Sequence, residues 1–522
     1  MKAALNNLVI CLLAGLLFML AWNPFGIVPM VFFALIPILY LHYKNLNRKN
    51  GVYFLWMYLA FLSFNIGVTW WVWNSTPWGA ITMLVLNSLF MTIPFLLSRW
   101  IQKRRNQHVA QLALVIFWLA FEYAHLRWDA SWPWLSLGNA FSDFTGFIQW
   151  YEFTGIFGGS LLILLVNLFL WNGITQRKPK FIYGTFGLLT FLFLLSLYLG
   201  NTNRIKPSGT MEAVCIQPNY DPYTEKFSLP PSQMLNEMVK LSETKVDKNT
   251  DILIWPETSL VDNVDVREPQ LDYQIQRLSV WKKRFPKLSI YTGSNAQKVF
   301  RQTFEKPEPA ARHYGPKNSG IWWVYYNASF MLWGDSVSAY HKSKLVPGTE
   351  ILPFTGTFPF LEKLAVTLDE NSASGTLGKS DHHNPMKANR HSMVPAICYE
   401  SVYGEHIAEF VKNGAEFISV ITNDAWWGNT PGYKQHLSYS KLRAIETRKW
   451  VARSANTGIS AFINPQGEIV KQSNWREKVA IKQNIELNKV KTFYTRNGDY
   501  IGRAAALSSL IFFILGFLPK RR

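Results

Sequence analysis

The sequence predicts a polytopic α-helical membrane domain joined to a separate α/β domain. Two observations lead to this prediction. Hydrophobic runs dominate residues 1–200 and recur near the C terminus, whereas between them short β-branched and aromatic runs alternate with helical stretches. The chain has 522 residues, more than a single hydrophobic core supports. Its 49% hydrophobic content excludes a disordered protein, and its three cysteines exclude a disulfide scaffold.

About eight transmembrane helices are predicted, because a span needs about 20 apolar residues and roughly 17 at the short end. Seven lie in a membrane domain at residues 1–200, and the eighth lies in a C-terminal segment at 500–522 that ends in a basic tail. The predicted spans are residues 8–22, 27–43, 52–74, 79–98, 109–126, 157–171, 181–199 and 504–518. The aromatic stretch 127–156 is too interrupted for a span and is typical of an interfacial segment.

The net charge of +19 follows this predicted topology. Lysine and arginine cluster after the second, fourth, sixth and last spans, and the alternate loops carry almost none. By the positive-inside rule, both termini face the cytoplasm and the α/β domain lies on the outer face. A nucleic-acid-binding role is rejected, because no basic stripe with interleaved aromatic residues is present in the sequence.

The α/β domain is predicted at residues 208–495, where three strands end in chemically useful side chains. These are Glu257, Lys342 and Cys398. A cysteine at a strand-to-helix turn near a lysine has surroundings that favour the thiolate, a carboxylate can act as general base, and a cation can stabilise an oxyanion. Each residue also has an ordinary structural interpretation, as a helix-terminal carboxylate, a solvated charge or a buried small residue. The pattern alone therefore leaves catalysis open.

The motifs around these residues resemble a known family. Glu257 in WPE, Lys342 in YHKSKLVP and Cys398 in ICYES are similar, in order and spacing, to the Glu-Lys-Cys triad of the nitrilase superfamily. With IQPN, YNAS and TNDAWWG also in order and membrane spans on both sides, essentially the whole chain resembles the apolipoprotein N-acyltransferases, a membrane-embedded branch of that superfamily. The resemblance implies a nitrilase-like αββα sandwich, with no cofactor and no metal.

The resemblance also implies roles for individual residues. Glu257 is the general base, Lys342 the oxyanion stabiliser and Cys398 the nucleophile. The implied supporting residues are Asn327, Glu350, Tyr399 and Glu400. Lys344 is an alternative candidate for the oxyanion stabiliser, but the motif favours Lys342. The loop Val346-Pro347-Gly348-Thr349-Glu350 departs from the family pattern, since it lacks the usual aromatic residue and its glycine has moved.

The implied reaction is ping-pong acyl transfer. A fatty acyl chain moves from a phospholipid to a Cys398 thioester, and then to the N-terminal amine of an S-diacylglyceryl-cysteine on an apolipoprotein, in the last step of lipoprotein maturation. The implied location is a bacterial inner membrane, with the catalytic domain in the periplasm and both termini in the cytoplasm. Candidates for an apolar substrate gate are Phe354, Phe358, Trp426 and Trp427, for which ordinary core packing is an equally good interpretation.

Three other functions have some support in the sequence. A membrane-tethered nitrilase-like amidase would share the triad but act on a small soluble amide. A transporter with an outer binding domain would need more charged residues inside the spans than Glu122 and His125. A metal hydrolase would have to use His382, His383, His391 and His436, whose positions lack a paired ligand spacing.

Overall fold

The computed structural model describes residues 2–201, 205–226, 228–303, 305–313, 315, 319–354 and 376–519. The chain forms two compact units. Unit 1 comprises Met1–Thr202, Asn429–Glu446 and Asn497–Arg522, and unit 2 comprises Asn203–Gly428 and Thr447–Arg496. The short segment 429–446 lies inside the stretch 208–495 that the sequence assigns to the α/β domain, yet it packs with the apolar helices of unit 1.

Unit 1 consists of apolar helices. They are α1 (Lys2–Ala21), α2 (Val31–Ala34), α3 (Ile36–Lys44), α4 (Asn50–Thr69), α5 (Pro77–Gln102), α6 (Gln107–His125), α7 (Tyr151–Gln176), α8 (Pro179–Leu199) and, at the C-terminal end, Tyr500–Phe517. Among the described residues, six helices are long and apolar enough to cross a membrane: Lys2–Ala21, Asn50–Asn74, Pro77–Gln102, Tyr151–Gln176, Pro179–Leu199 and Tyr500–Phe517. The prediction of a polytopic membrane domain is confirmed. The count of eight stays a prediction, since Val28–Lys44 is a shorter apolar stretch and α6 is not among the six.

Helix α7 is broken near its start by Gly155, which has φ 57° and ψ −163°. Glycine adopts this left-handed conformation without the steric penalty of a side chain. The break makes Ile156 the start of a new helical turn, and its backbone N–H donates to the carboxylate of Glu446. A residue from segment 429–446 therefore satisfies a backbone donor of an apolar helix.

Unit 2 contains two β-sheets. Its fourteen strands among the described residues are β1 (Gly209–Gln217), β2 (Ile252–Ile254), β3 (Leu260–Asp265), β4 (Ser289–Phe300), β5 (Arg312–His313), β6 (Trp322–Trp333), β7 (Ser336–His341), β8 (Met386–Ala388), β9 (His391–Ile397), β10 (Phe417–Thr422), β11 (Val451–Ala455), β12 (Ala461–Ile463), β13 (Ile469–Gln472) and β14 (Val479–Leu487). The first sheet has the order β14-β1-β2-β4-β6-β5, with β3 beside β4 and β7 beside β6. The second has the order β13-β12-β11-β10-β9-β8.

Helices cover the outer faces of these sheets. Helices α9 (Pro231–Glu243) and α10 (Tyr273–Lys282) bury apolar side chains in the same core as strands β1 and β2. Helix α11 (Gly404–Lys412) contacts β9 of the second sheet. The sheets contact each other, since the hydroxyl of Ser454 in β11 donates to the carbonyl of Ile216 in β1 at 2.7 Å. The predicted αββα sandwich is confirmed.

Segment 429–446 carries most of helix α12 (Pro431–Thr447), which the sequence analysis placed in the α/β domain. Its Gln435 accepts hydrogen bonds from the indoles of Trp71 at 3.2 Å and Trp134 at 2.7 Å, and donates to the carbonyl of Asn23 at 3.0 Å. These buried polar contacts hold the helix in unit 1. The remaining helices are α13 (Phe493–Asn497) and α14 (Tyr500–Phe517).

Candidate active site

The carboxylate of Glu257 emerges just beyond strand β2, because Trp255 and Pro256 end the strand. Trp255 is fully buried, and its indole donates to the hydroxyl of Ser242 at 3.0 Å. The neighbouring strand comes very close at Gly293, where a Cβ would lie 2.7 Å from the Cα of Glu257. Such a distance excludes any side chain at position 293 without movement of the backbone. The position of Glu257 is therefore set by packing on both sides.

Three groups surround the Glu257 carboxylate. One oxygen, Oε1, accepts a hydrogen bond from the side-chain amide of Asn327 at 2.7 Å and lies 3.6 Å from Nζ of Lys342. The other, Oε2, accepts from the backbone N–H of Asn423 at 3.0 Å. These contacts fix the direction in which the Glu257 carboxylate faces the site, as a general base requires.

Lys342 is held by a second carboxylate as well as by Glu257. Its Nζ lies 2.9 Å from Oε1 of Glu350, and the side chain is 1% exposed. Burial alone would lower the pKa of Lys342, but the carboxylates of Glu350 and Glu257 together raise it above its ordinary value. The ammonium therefore stays charged, as an oxyanion stabiliser requires.

The unusual loop before Glu350 still delivers its carboxylate to Lys342. Gly348 has φ 84°, and the backbone N–H of Glu350 donates to the carbonyl of Val346 at 2.9 Å, which closes a tight turn. Within this turn, the backbone N–H of Val346 donates a hydrogen bond to Oε2 of Glu350 at 2.8 Å. The side-chain amide of Asn327 also donates to Glu350, at 2.8 Å, so one amide bridges both carboxylates.

Lys344, the rival of Lys342, lies elsewhere. Its Nζ sits over the ring of Tyr403, 5.3 Å from the ring centre. Of the two lysines, Lys342 is the one paired with Glu257. The geometry thus agrees with the motif in favouring Lys342.

Cys398 occupies a strained turn directly after strand β9, with φ 51°. A non-glycine residue at positive φ is uncommon and recurs at functional sites. Burial raises the pKa of the Cys398 thiol, the carboxylate of Glu257 raises it further, and the ammonium of Lys342 acts in the opposite direction. The expectation that these surroundings favour a resting thiolate is therefore not met. Cys398 rests as a thiol and needs a base to become a nucleophile.

Glu400 ties the Cys398 turn to the loop that carries Lys342. It is fully buried, and its carboxylate accepts from Ile397 N at 2.8 Å, Ser343 N at 2.6 Å and the hydroxyl of Tyr340 at 2.7 Å. Burial alone would raise the pKa of Glu400, but His406 and these donors lower it. Its charge therefore contributes to the position of two of the three candidate catalytic residues rather than to proton transfer.

The other residues implied by the family lie around this centre. Tyr399 is buried, with its ring 5.3 Å from that of Tyr403. Trp426 and Trp427 are partly exposed on a turn that follows strand β10, close in sequence to Asn423. Phe354 is half-buried with φ 65°, and Phe358 lies outside the described residues.

Sequence reasoning missed two groups at this centre. One is the backbone N–H of Asn423, which contacts Glu257 from 166 positions away. The other is Lys226, whose Nζ donates to the carbonyl of Glu257 at 2.8 Å. A backbone N–H is present in every residue except proline, so the residue type at position 423 does not reveal this contact. Lys226 stands in a polar stretch that reads as a surface loop, so neither was predictable from the residues alone.

The four histidines considered for a metal site have other neighbours. His383 contacts His406 at 2.9 Å, His391 pairs with Glu416 at 2.9 Å, and the ring of His436 lies 5.7 Å from that of Trp134 in unit 1. His382 is exposed. Across the described residues, no group of three or more potential ligands is positioned to hold a metal ion.

Comparison with known proteins gives two family matches along the chain. Residues 14–169 match the apolipoprotein N-acyltransferase N-terminal domain, and residues 214–494 match the carbon-nitrogen hydrolase family. The second match spans more than half of the chain.

Similar proteins extend over nearly the full length. An apolipoprotein N-acyltransferase of Chlorobaculum tepidum is 29% identical over 94% of this chain and 92% of its own length. Those of Geobacter metallireducens and Thermotoga maritima are 26% and 27% identical, over 99% and 95% of this chain and 96% and 91% of their own lengths.

Proposed function

Because this chain belongs to the apolipoprotein N-acyltransferases, a membrane-embedded branch of the carbon-nitrogen hydrolase family, we propose that it transfers a fatty acyl chain from a phospholipid to the N-terminal amine of an apolipoprotein. The acceptor amine is that of an S-diacylglyceryl-cysteine, and the reaction completes lipoprotein maturation. The enzyme class, an acyltransferase of the nitrilase superfamily, agrees with the names of relatives that align along nearly the whole chain.

The cluster of a carboxylate, a charged lysine and a thiol supports this proposal most directly. Glu257 accepts a proton, Lys342 stabilises an oxyanion, and Cys398 forms the covalent intermediate. The neighbouring carboxylates raise the pKa of Lys342 and burial raises the pKa of the Cys398 thiol, so the lysine is charged while the thiol is neutral. This is the protonation state from which a base-assisted thiol attack begins.

The first half-reaction forms a thioester. Glu257 removes the thiol proton of Cys398 as the sulfur attacks the ester carbonyl of the phospholipid, and Lys342 stabilises the tetrahedral oxyanion. When the intermediate collapses, the carbon–oxygen bond breaks and the lysophospholipid oxygen takes the proton from Glu257. The acyl chain is then carried on Cys398.

The second half-reaction transfers that chain to nitrogen. The neutral α-amine attacks the thioester carbonyl, Lys342 again stabilises the oxyanion, and Glu257 accepts a proton from the amine. The carbon–sulfur bond breaks and the Cys398 sulfur takes the proton back. A thioester reacts readily with amines, whereas water must be excluded if the acyl chain is not to be lost to hydrolysis.

Both substrates are lipids, so we place the enzyme in a bacterial inner membrane. Residues 1–200 and 500–522 supply about eight spans, the termini lie in the cytoplasm, and residues 208–495 form the catalytic domain in the periplasm. The partly exposed Trp426 and Trp427 and the half-buried Phe354 form the apolar gate through which acyl chains enter.

Product analysis with two matched acceptors tests this function. Purified enzyme receives a phospholipid with a labelled acyl chain and either a diacylglyceryl-cysteine lipopeptide or the same peptide with its α-amine acetylated. Label is expected on the free-amine peptide alone. Release of labelled fatty acid without peptide labelling would contradict acyl transfer, and turnover of small amides with an inert phospholipid would favour the amidase.

A further inference from the structure

Lys226 is a buried lysine at the active centre that the reaction as described does not use. Its side chain is 2% exposed. Its ammonium donates to the carbonyl of Glu257 at 2.8 Å and to the hydroxyl of Thr258 at 3.2 Å. Both acceptors lie on the turn that carries the candidate general base.

The two lysines of the centre are held in different ways. Lys342 is paired with two carboxylates, whereas both acceptors of Lys226 are neutral. Within the described part of the chain, no carboxylate oxygen lies within 4.0 Å of the Lys226 ammonium. Its charge is therefore not neutralised by a direct partner, and its field extends into the site.

That field reaches the nucleophile. Burial lowers the pKa of Lys226 to about 8, while the negative charges of Glu257 and of an ionised Cys398 act to raise it. Lys226 is thus mostly charged at pH 7. Since charge interactions are mutual, a charge on Lys226 also favours the thiolate of Cys398, but more weakly than the ammonium of Lys342 does.

The turn that Lys226 holds is itself strained. Thr258 has φ 52°, an unfavourable value for a β-branched residue. The hydrogen bonds from Lys226 to Thr258 and to the carbonyl of Glu257 offset this strain and fix the direction in which the Glu257 side chain leaves the backbone.

We propose that Lys226 is a positioning residue of the acyl transfer, which holds the Glu257–Thr258 turn and supplies a second positive charge that stabilises the thiolate of Cys398. The inference deepens the proposed function and rests on it for the identity of the reaction. It predicts a change in the ionisation of the Cys398 thiol, which can be measured without any lipid substrate.

The test is the pH dependence of Cys398 alkylation by iodoacetamide. The full-length protein in detergent is alkylated between pH 5.5 and 9.5 and read by intact-protein mass spectrometry, with Cys398→Ala as the blank for Cys11 and Cys215. Lys226→Met removes the charge and the hydrogen bonds, and Lys226→Gln keeps an N–H donor without the charge. Both are expected to alkylate about threefold more slowly at pH 7, because a threefold loss corresponds to a rise of about half a unit in the thiol pKa.

Lys449 provides a matched control. It is also a buried lysine of unit 2 with neutral acceptors, including the carbonyls of Asn488 at 2.6 Å and Val490 at 2.9 Å, and burial lowers its pKa to about 7. Cys398 is not among the groups that shift this pKa. Lys449→Met is therefore expected to leave the alkylation profile of Cys398 unchanged.

Three outcomes would overturn the proposal. A folded Lys226→Gln protein with the wild-type profile would show that the charge does not act on Cys398. An equal shift in Lys449→Met would show a general effect of losing a buried lysine. Failure of both Lys226 variants to fold would assign the residue to stability alone. A shifted profile in an enzyme that does not acylate peptides would support the role of Lys226 while rejecting the proposed function.

Discussion

Replacing Glu350 with glutamine should slow acyl-enzyme formation while leaving the fold intact. The Glu350 carboxylate accepts three hydrogen bonds, from Lys342 Nζ at 2.9 Å, Asn327 Nδ2 at 2.8 Å and Val346 N at 2.8 Å. An amide has one acceptor oxygen and one donor nitrogen, so whichever way it turns, at least one of these donors loses its acceptor. Lys342 also loses one of its two negative partners and is drawn toward Glu257.

The magnitude follows from the kind of hydrogen bond that is lost. A hydrogen bond to a charged group contributes about 1.5–3 kcal/mol. If that free energy is lost in the transition state, where Lys342 must face the oxyanion, the rate of thioester formation falls about 10- to 150-fold. Glu350→Asp keeps the charge but shortens the reach, so we expect a smaller loss than with Glu350→Gln.

The assay is rapid-quench measurement of the acyl-enzyme formed from a labelled phospholipid. Glu237→Gln serves as the control, because Glu237 pairs with Lys478 at 2.9 Å where both side chains are partly exposed. Such surface pairs contribute little, and the control should keep the wild-type rate. A folded Glu350→Gln enzyme with a rate within about twofold of wild type, well short of the loss expected for a charge-assisted hydrogen bond, would refute the role assigned to this carboxylate.

Three further predictions concern the same unit. Asn327→Asp places a third carboxylate beside Glu257, so the acylation rate at pH 7 should fall about 100-fold, as for loss of a strong charged hydrogen bond, and recover partly at lower pH, where a shared proton relieves the repulsion; a flat pH–rate profile would contradict this. Lys226, with its pKa lowered to about 8, is protonated below that pH and neutral above it, so wild-type acylation should decline above about pH 8. The same decline in Lys226→Gln would argue against Lys226 as its source. Arg453→Met removes the buried cation that lies 2.5 Å from Asp424, and the free energy of unfolding measured in detergent should fall by about 3–5 kcal/mol; an unchanged free energy of unfolding would show that the pair is not needed.

Much of the architecture was visible in the sequence because its signals are local. Hydrophobic runs long enough to span a membrane predict the helices of unit 1, and buried apolar strands between helical stretches predict the α/β domain of unit 2. The sandwich arrangement of that domain was implied by the family resemblance. The three polar strand ends are also local features. In the structure, Glu257 and Lys342 lie within 3.6 Å of each other. The charge of Glu257 raises the pKa of Cys398, and the charge of Lys342 lowers it.

Other features depend on contacts between distant residues and could not be predicted. Helix α12 has a polar sequence typical of a soluble domain, yet Gln435 pairs with indoles more than 300 positions earlier and joins the helix to unit 1. The burial of Lys226 depends on a turn 31 positions later. The loop at Gly348 departs from the family pattern, yet the turn it forms places the Glu350 carboxylate beside Lys342, which the sequence alone does not show.

The most direct test of the central claim is intact-protein mass spectrometry of the acyl-enzyme. The purified protein is incubated with phospholipid alone and then with a diacylglyceryl-cysteine lipopeptide. Wild type should gain one acyl mass, Cys398→Ala should gain none, and the gained mass should disappear from the enzyme as it appears on the peptide amine. Absence of an adduct on the folded wild-type protein, or its discharge to water alone, would contradict acyl transfer through Cys398.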